Sequence, residues 1–304
     1  MAAVGACCLR LSAEGGPRAR ELLAAIDSFL LDCDGVVWNG ERAVSGAAEL
    51  LSRLQALGKR LYLVSNNGSR SGAGLLDKCG RLGLQLRPQQ LFSSARCSAL
   101  YLRRARPGGR VYVLGSPGLC AELREAGLRV LGGGEEEEEE PGPEVHAVLV
   151  GYDEHFSFAR LAKACGYLRD PSCLFLATDP DPWHPQGGGR VIPGTGSLTA
   201  AVEVASGRKA EVIGKPSRFM FDCIASEAGD GAVDPTRALM IGDRLETDIL
   251  FGANCGMRTV LALTGVSSLE EAQANMASEL PHCRRMVPDF YVDSIADFLP
   301  LLKD

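Results

Sequence analysis

The chain has 304 residues, enough for one large domain or two modest ones. Hydrophobic residues make up 46% and charged residues 23%, ordinary for a soluble globular protein, and a net charge of −6 gives nucleic acid no footing as the main partner. No apolar run approaches the roughly 18 residues of a membrane span. The first residues lack the apolar core of a secretory signal, and 11 cysteines, an odd number with no CxxC, read as reduced thiols of a cytosolic protein. The four histidines show no metal-ligand spacing.

In chain order, residues 1–22 read as an N-terminal tail. Ser28-Phe29-Leu30-Leu31 predicts a short buried strand. Arg42 to Leu57 has helical apolar spacing, with Leu50, Leu51, Leu54 and Leu57 on one side, and Gly58 ends it. Arg60 to Val64 is the next strand, and strand, helix and strand at this length form a parallel βαβ unit. Apolar runs at Val111 to Leu114, Ala147 to Val150, Leu174 to Ala177, Glu211 to Ile213, Ala238 to Ile241 and Arg258 to Leu263 keep the rhythm, with helical segments between most of them. The expected fold is α/β, a Rossmann-like doubly wound core on a parallel sheet. The acidic run Glu135 to Glu140, flanked by glycine and proline, reads as a solvated loop.

The stretch LLDCDGVVWNGE places Asp32 and Asp34 directly after the first strand. Residues i and i+2 of an extended chain point to one side, so both carboxylates can face the space past the strand's C-terminal edge, where open α/β sheets bind ligands. Two carboxylates there repel unless a cation compensates, which implies a hard divalent metal such as Mg²⁺. An EF-hand fits poorly, because its loop ends in glutamate and position 12 from Asp32 is Ala43. Three later strand ends carry polar groups. Ser65-Asn66-Asn67 offers a hydroxyl and amides for an anionic oxygen. Lys215, in IGKPS, can neutralise a phosphate. Asp243, in MIGDRLETDI, sits at a strand end, with Asp248 near the start of a helix.

Carboxylate, hydroxyl, lysine and carboxylate at four strand ends, in that order, resemble the haloacid dehalogenase superfamily of phosphohydrolases from about Ala24 onward. The resemblance implies that Asp32 attacks phosphorus, forming an aspartyl-phosphate, and that Asp34 is general acid and base. It also implies that Mg²⁺ binds at Asp32, the Asp34 carbonyl and Asp243, with Asp248 ordering the metal's water ligands. Asp34 argues for a phosphatase, since a halide leaving group needs no acid.

The chain between Ser65 and Lys215 is longer than a core crossover needs, so a second domain is expected. The predicted division is tail 1–22, core 23–109, an inserted α/β cap 110–209 that corresponds to the superfamily's C2 type, and core 210–304. Within the cap, VLVGYDEHFSF and ATDPDPWHPQGGGRVIPGTGSL resemble the pyridoxal phosphatases of the superfamily, and phosphoglycolate phosphatases share the core. The second stretch reads as a loop in which Trp183-His184-Pro185 faces or hydrogen-bonds a flat ring, with Tyr152 as a further ring contact. Gly68 and Ser69 stand where the family commonly has serine and arginine. The expected substrate is pyridoxal 5′-phosphate and related vitamin B6 phosphates, held by Ser65, Asn66, Asn67, Lys215, His184 and Tyr152. Alternatives are phosphoglycolate, phosphoserine in a protein such as cofilin, and a non-catalytic scaffold, which the intact Asp32, Asp34, Lys215 and Asp243 disfavour. The resemblance further implies a homodimer through the caps.

Overall fold

The structure, a computed structural model, describes residues 8–12, 16–133, 144–186, 189–228 and 233–302. The Glu135 to Glu140 run, expected as a solvated loop, lies outside them. The chain divides into two compact, discontinuous units. The first is Met1–Val64, Leu76–Leu91 and Ile224–Asp304; the second is Ser65–Leu75 and Phe92–Cys223.

The first unit is built on a seven-stranded sheet in the order Leu9–Arg10, Phe290–Val292, Arg258–Ala262, Ala238–Gly242, Ser28–Leu31, Arg60–Ser65, Leu91–Ser93. Pairings from Leu9–Arg10 through Arg60–Ser65 are parallel. Ser28–Leu31 lies inside the sheet with all four residues buried, which is why it reads as a continuous apolar run rather than an alternating one. Leu31 stands in register with Ile241 on one side and Leu63 on the other, so neighbouring strands end level with one another.

Three expectations change in this unit. The helix runs over Ala47–Ala56 rather than from Arg42, because Arg42–Ala43 pairs antiparallel with Trp38–Asn39. That hairpin turns at Gly40 (φ +57°), a conformation only glycine takes readily. Leu50, Leu51 and Leu54 are buried as expected, but Leu57 lies past the helix end and is 49% exposed. Within the predicted tail, the described residues include structure: Leu9–Arg10 adds an edge strand beside Phe290–Val292, and a helix spans Gly16–Ala25. Burial of Leu11, Leu23 and Ile26 anchors this stretch through a hydrophobic gain.

The second unit has a five-stranded parallel sheet in the order Glu211–Val212, Leu174–Ala177, Ala147–Val150, Arg110–Leu114, Arg129–Gly132. Its core includes Tyr112, Leu114, Val148, Val150, Phe175 and Val202. This unit takes in more than the expected 110–209. The helix Ser94–Ala105 packs on the helix Pro117–Glu125, and Ser94 Oγ donates to the Asn66 carbonyl at 2.7 Å, tying residues 65–75 to it. The stretch expected as a loop around Trp183 is a hairpin, Trp183–Pro185 antiparallel to Val191–Pro193. Among the described residues, no helix is long and apolar enough to cross a membrane.

Candidate active site

The Asp32 N–H donates to the Ile241 carbonyl at 2.8 Å, so the chain stays extended one residue past Leu31 before it turns. Its carboxylate therefore emerges at the C-terminal edge of the sheet, beside Asp243 at the end of the adjacent strand. Asp248 follows in a π-helical turn, Leu245–Ile249. Carboxylate oxygens of Asp32, Asp243 and Asp248 lie within 4.8 Å of one another, and the three residues are 7%, 5% and 1% exposed. Asp248 Oδ2 accepts from the N–H groups of Asp243 (3.2 Å) and Arg244 (3.1 Å), while Asp243 Oδ2 accepts from Val266 N–H at 2.8 Å. The backbone crowds the cluster closely. A Cβ at Gly265 would lie 1.8 Å from Asp243 Oδ2, and one at Gly35, where φ is +89°, 2.3 Å from the same oxygen. Three buried carboxylates this close repel in a poorly screened setting. An all-oxygen, strongly anionic donor set fits a hard divalent cation such as Mg²⁺.

Asp34 is set apart from this cluster. Its side chain is 46% exposed, and Oδ1 accepts from the Trp38 indole N–H at 2.9 Å.

The remaining predicted phosphate-binding residues belong to the second unit. Ser65 and Lys215 are 2% and 1% exposed. The Asn66 amide faces the backbone of Lys215, accepting from its N–H at 2.9 Å and donating to its carbonyl at 3.0 Å. Asn67 is exposed; its N–H donates to Ser65 Oγ at 3.1 Å, and its Oδ1 accepts from the Ser69 N–H and hydroxyl. Asn66 Nδ2 also lies 3.5 Å from Asp181 Oδ2. Asp179 beside it is 2% exposed, and burial, reinforced by the Asp181 charge, pushes its carboxyl up to about 7. Tyr152 and His184 meet ring to ring, with centroids 5.8 Å apart and planes at 72°. The Tyr152 hydroxyl donates to Glu154 at 2.8 Å, and burial together with that carboxylate raises it to about 12.

Sequence reasoning missed several contributors. Thr264, Gly265, Val266 and Ser267 follow the strand Arg258–Ala262 and wrap Asp243: the Thr264 hydroxyl donates to the Gly35 carbonyl, and Ser267 N–H donates to the Asp243 carbonyl at 2.8 Å. A fifth strand end rich in small and hydroxyl residues was the available signal. Asp179 and Asp181 were legible only as part of a loop.

Comparison with known proteins accords with this geometry. A haloacid dehalogenase-like hydrolase model matches residues 29–129, and a second, HAD-hydrolase-like model matches residues 212–298. Human chronophin is 56% identical over 295 residues, covering 95% of this chain and 97% of that protein. Glycerol-3-phosphate phosphatase from Gallus gallus is 50% identical over 310 residues, covering 98% and 97%. Among solved structures, glycerol phosphate phosphatase from Mycobacterium tuberculosis in complex with magnesium superposes with a TM-score of 0.76 at 29% identity, covering 93% of this chain and 79% of that one. The chain belongs to the haloacid dehalogenase-like hydrolases and is a phosphatase of that family.

Proposed function

We propose that this phosphatase hydrolyses pyridoxal 5′-phosphate and related vitamin B6 phosphates, with Mg²⁺ as cofactor. The observation that carries the choice of substrate is the edge-to-face pair of Tyr152 and His184. It offers an aromatic wall and a polar ring nitrogen to a flat heteroaromatic ring, where an aliphatic substrate has no ring to stack. The likeness to chronophin, a pyridoxal phosphatase, across 95% of the chain supports the same reading.

In this reading the Asp32 carboxylate attacks phosphorus, and Asp34 hands its proton to the departing alkoxide oxygen. Asp34 then takes a proton from the water that attacks the aspartyl-phosphate, and Asp32 is released with inorganic phosphate. Mg²⁺, held by the carboxylates of Asp32 and Asp243 and by the Asp34 carbonyl, with Asp248 ordering its waters, would offset the charge on nucleophile and phosphate. Ser65 and Lys215 hold the phosphate oxygens. Asn66, by its contacts, positions Lys215, and Asn67 shapes the loop after Ser65. In the same reading residues 110–209, the larger part of the second unit, form the cap, and the protein is a cytoplasmic homodimer through it. Val204 and Phe158, each 86% exposed, support the dimer.

A second reading, an aliphatic phosphomonoesterase for glycerol 3-phosphate or phosphoglycolate, is favoured by the 50% identity to glycerol-3-phosphate phosphatase. Phosphate release from pyridoxal 5′-phosphate, glycerol 3-phosphate and phosphoglycolate at equal concentration decides between them. A kcat/KM for pyridoxal 5′-phosphate at least tenfold above both others supports the first reading, and the reverse order supports the second.

A further inference from the structure

Lys78 is a cation buried to 7% side-chain exposure, on the helix Gly72–Arg81. Its Nζ stands 4.4 Å from the centroid of the Trp38 ring, over the indole face. It also lies 4.0 Å from Asp34 Oδ1, the oxygen that accepts the Trp38 indole N–H at 2.9 Å. Glu41 is equally distant at 4.0 Å, but Glu41 also meets Arg81 at 3.3 Å. Trp38 itself is 1% exposed, so neither the ring nor the amine has room to drift. Burying an ammonium is costly unless charge or a π-face compensates; here the Trp38 face, Asp34 and Glu41 all do so, and Asp34 alone of the two carboxylates also accepts from the Trp38 indole N–H. A cation on the face of an indole draws density from the ring and strengthens its N–H as a donor. Asp34, whose side chain is nearly half exposed, would otherwise sample several rotamers.

We propose that Lys78 and Trp38 are positioning residues for the proton-transfer group, fixing the Asp34 carboxylate in the one orientation from which it serves both half-reactions. The proposal rests on the assignment of Asp34 as general acid and base. In the first half-reaction an Asp32 oxygen bonds to phosphorus, the ester P–O bond breaks, and the Asp34 proton goes to the leaving oxygen. In the second, a water oxygen bonds to phosphorus, its proton goes to Asp34, and the P–O bond to Asp32 breaks. Misorientation of Asp34 therefore harms water attack for every substrate, but harms the first half-reaction only where the leaving group needs a proton. p-Nitrophenolate leaves without one; the alkoxide of glycerol 3-phosphate does not.

The test is rapid-quench kinetics on both substrates with the Mg²⁺-loaded protein, its Lys78→Met, Lys78→Arg, Trp38→Phe and Asp34→Asn variants, and the Lys78→Met/Asp34→Asn double variant. For Lys78→Met, first-turnover release of p-nitrophenolate should stay within about threefold of the parent. Steady-state turnover of that substrate, and first-turnover release of glycerol, should both fall by roughly 10- to 100-fold, within the range of general acid–base and orientation effects. Trp38→Phe, which keeps the ring and loses the N–H, should show the same split if Lys78→Met folds poorly. Lys78→Arg should recover most of the lost rate, and the double variant should be no slower than Asp34→Asn alone. Equal loss in both phases, no loss in Lys78→Met and Trp38→Phe, or an additive double variant overturns the positioning role while leaving Asp34 in place. Absence of the split in Asp34→Asn itself overturns the proton-transfer assignment, and the positioning role with it.

Discussion

The side-chain amide of Asn66 closes on both backbone groups of Lys215, its oxygen accepting from the N–H at 2.9 Å and its nitrogen donating to the carbonyl at 3.0 Å. The two residues are 149 apart in sequence, so this single amide sets where a buried lysine leaves the backbone. Lys215 has almost no solvent to screen it, and a small shift in its root moves its charge relative to any phosphate it holds.

Replacing Asn66 with alanine therefore removes two hydrogen bonds to one residue. We expect kcat/KM to fall by roughly 10- to 100-fold, the scale of a misplacement near 1 Å, with circular dichroism unchanged. Asn66→Asp keeps the acceptor and loses the donor, and should sit between alanine and the parent. Steady-state kinetics with a melting curve check both, and wild-type kinetics in Asn66→Ala would refute the clamp's importance.

The acidic cluster makes a prediction that needs no substrate. Asp32, Asp243 and Asp248 repel one another, so a divalent cation should stabilise the native chain. Addition of Mg²⁺ to chelator-treated protein should raise the melting temperature by several degrees. Asp243→Asn should melt higher than the parent in chelator, because one charge is gone, yet gain less from Mg²⁺. A parent melting temperature indifferent to Mg²⁺ would sink the metal assignment. Ca²⁺, which prefers more ligands at longer distances, should substitute poorly in catalysis.

His184 separates ring-bearing from aliphatic substrates. Its ring contact with Tyr152 places it for an aromatic or hydrogen-bonded contact worth on the order of 1 kcal/mol. His184→Ala should raise the KM for pyridoxal 5′-phosphate by roughly five- to tenfold, while p-nitrophenyl phosphate turnover changes little. Equal loss on both substrates, with a lowered melting temperature, would mean that His184 only braces the hairpin.

Asp179 gives the fold a pH dependence. Burial holds its carboxyl at about 7, against about 4 for an ordinary aspartate. Between those values the folded chain keeps a proton that the unfolded chain has lost, so this group's stabilisation is full below about pH 4 and fades as pH rises through 7. Asp179→Asn cannot titrate, so its melting temperature should fall less than the parent's between pH 5 and pH 8. Parallel curves for the two proteins would contradict the burial of a protonated acid.

What the sequence disclosed depended on how far each interaction reaches along the chain. Asp32 and Asp243 were legible because a strand, its end and its carboxylate are contiguous, and parallel register then brings them together. The clamp on Lys215 was not, since nothing near Asn66 in sequence names its partner. The hairpin at Trp183–Pro185 reads as a loop because its prolines and glycines mimic turn chemistry while antiparallel pairing holds it. Lys78 gave no signal at all: a lysine in a helix looks solvent-facing until tertiary packing puts it on the Trp38 ring. The strand at residues 9–10 escaped notice because its edge pairing with Phe290–Val292 is visible only in three dimensions.

The central claim is covalent phosphoryl transfer to Asp32 from pyridoxal 5′-phosphate, and one measurement tests it most directly. Native protein and Asp32→Asn are mixed with pyridoxal 5′-phosphate and Mg²⁺, quenched in acid within the first turnovers, and mapped by peptide mass spectrometry while phosphate release is followed in parallel. The expected result is a phosphorylated peptide containing Asp32 in the native protein. In Asp32→Asn neither modification nor phosphate release should exceed about one part in a thousand of the native level, a loss typical of a removed nucleophile. Sustained phosphate release by Asp32→Asn, or a phosphoryl group trapped on another residue, would contradict it.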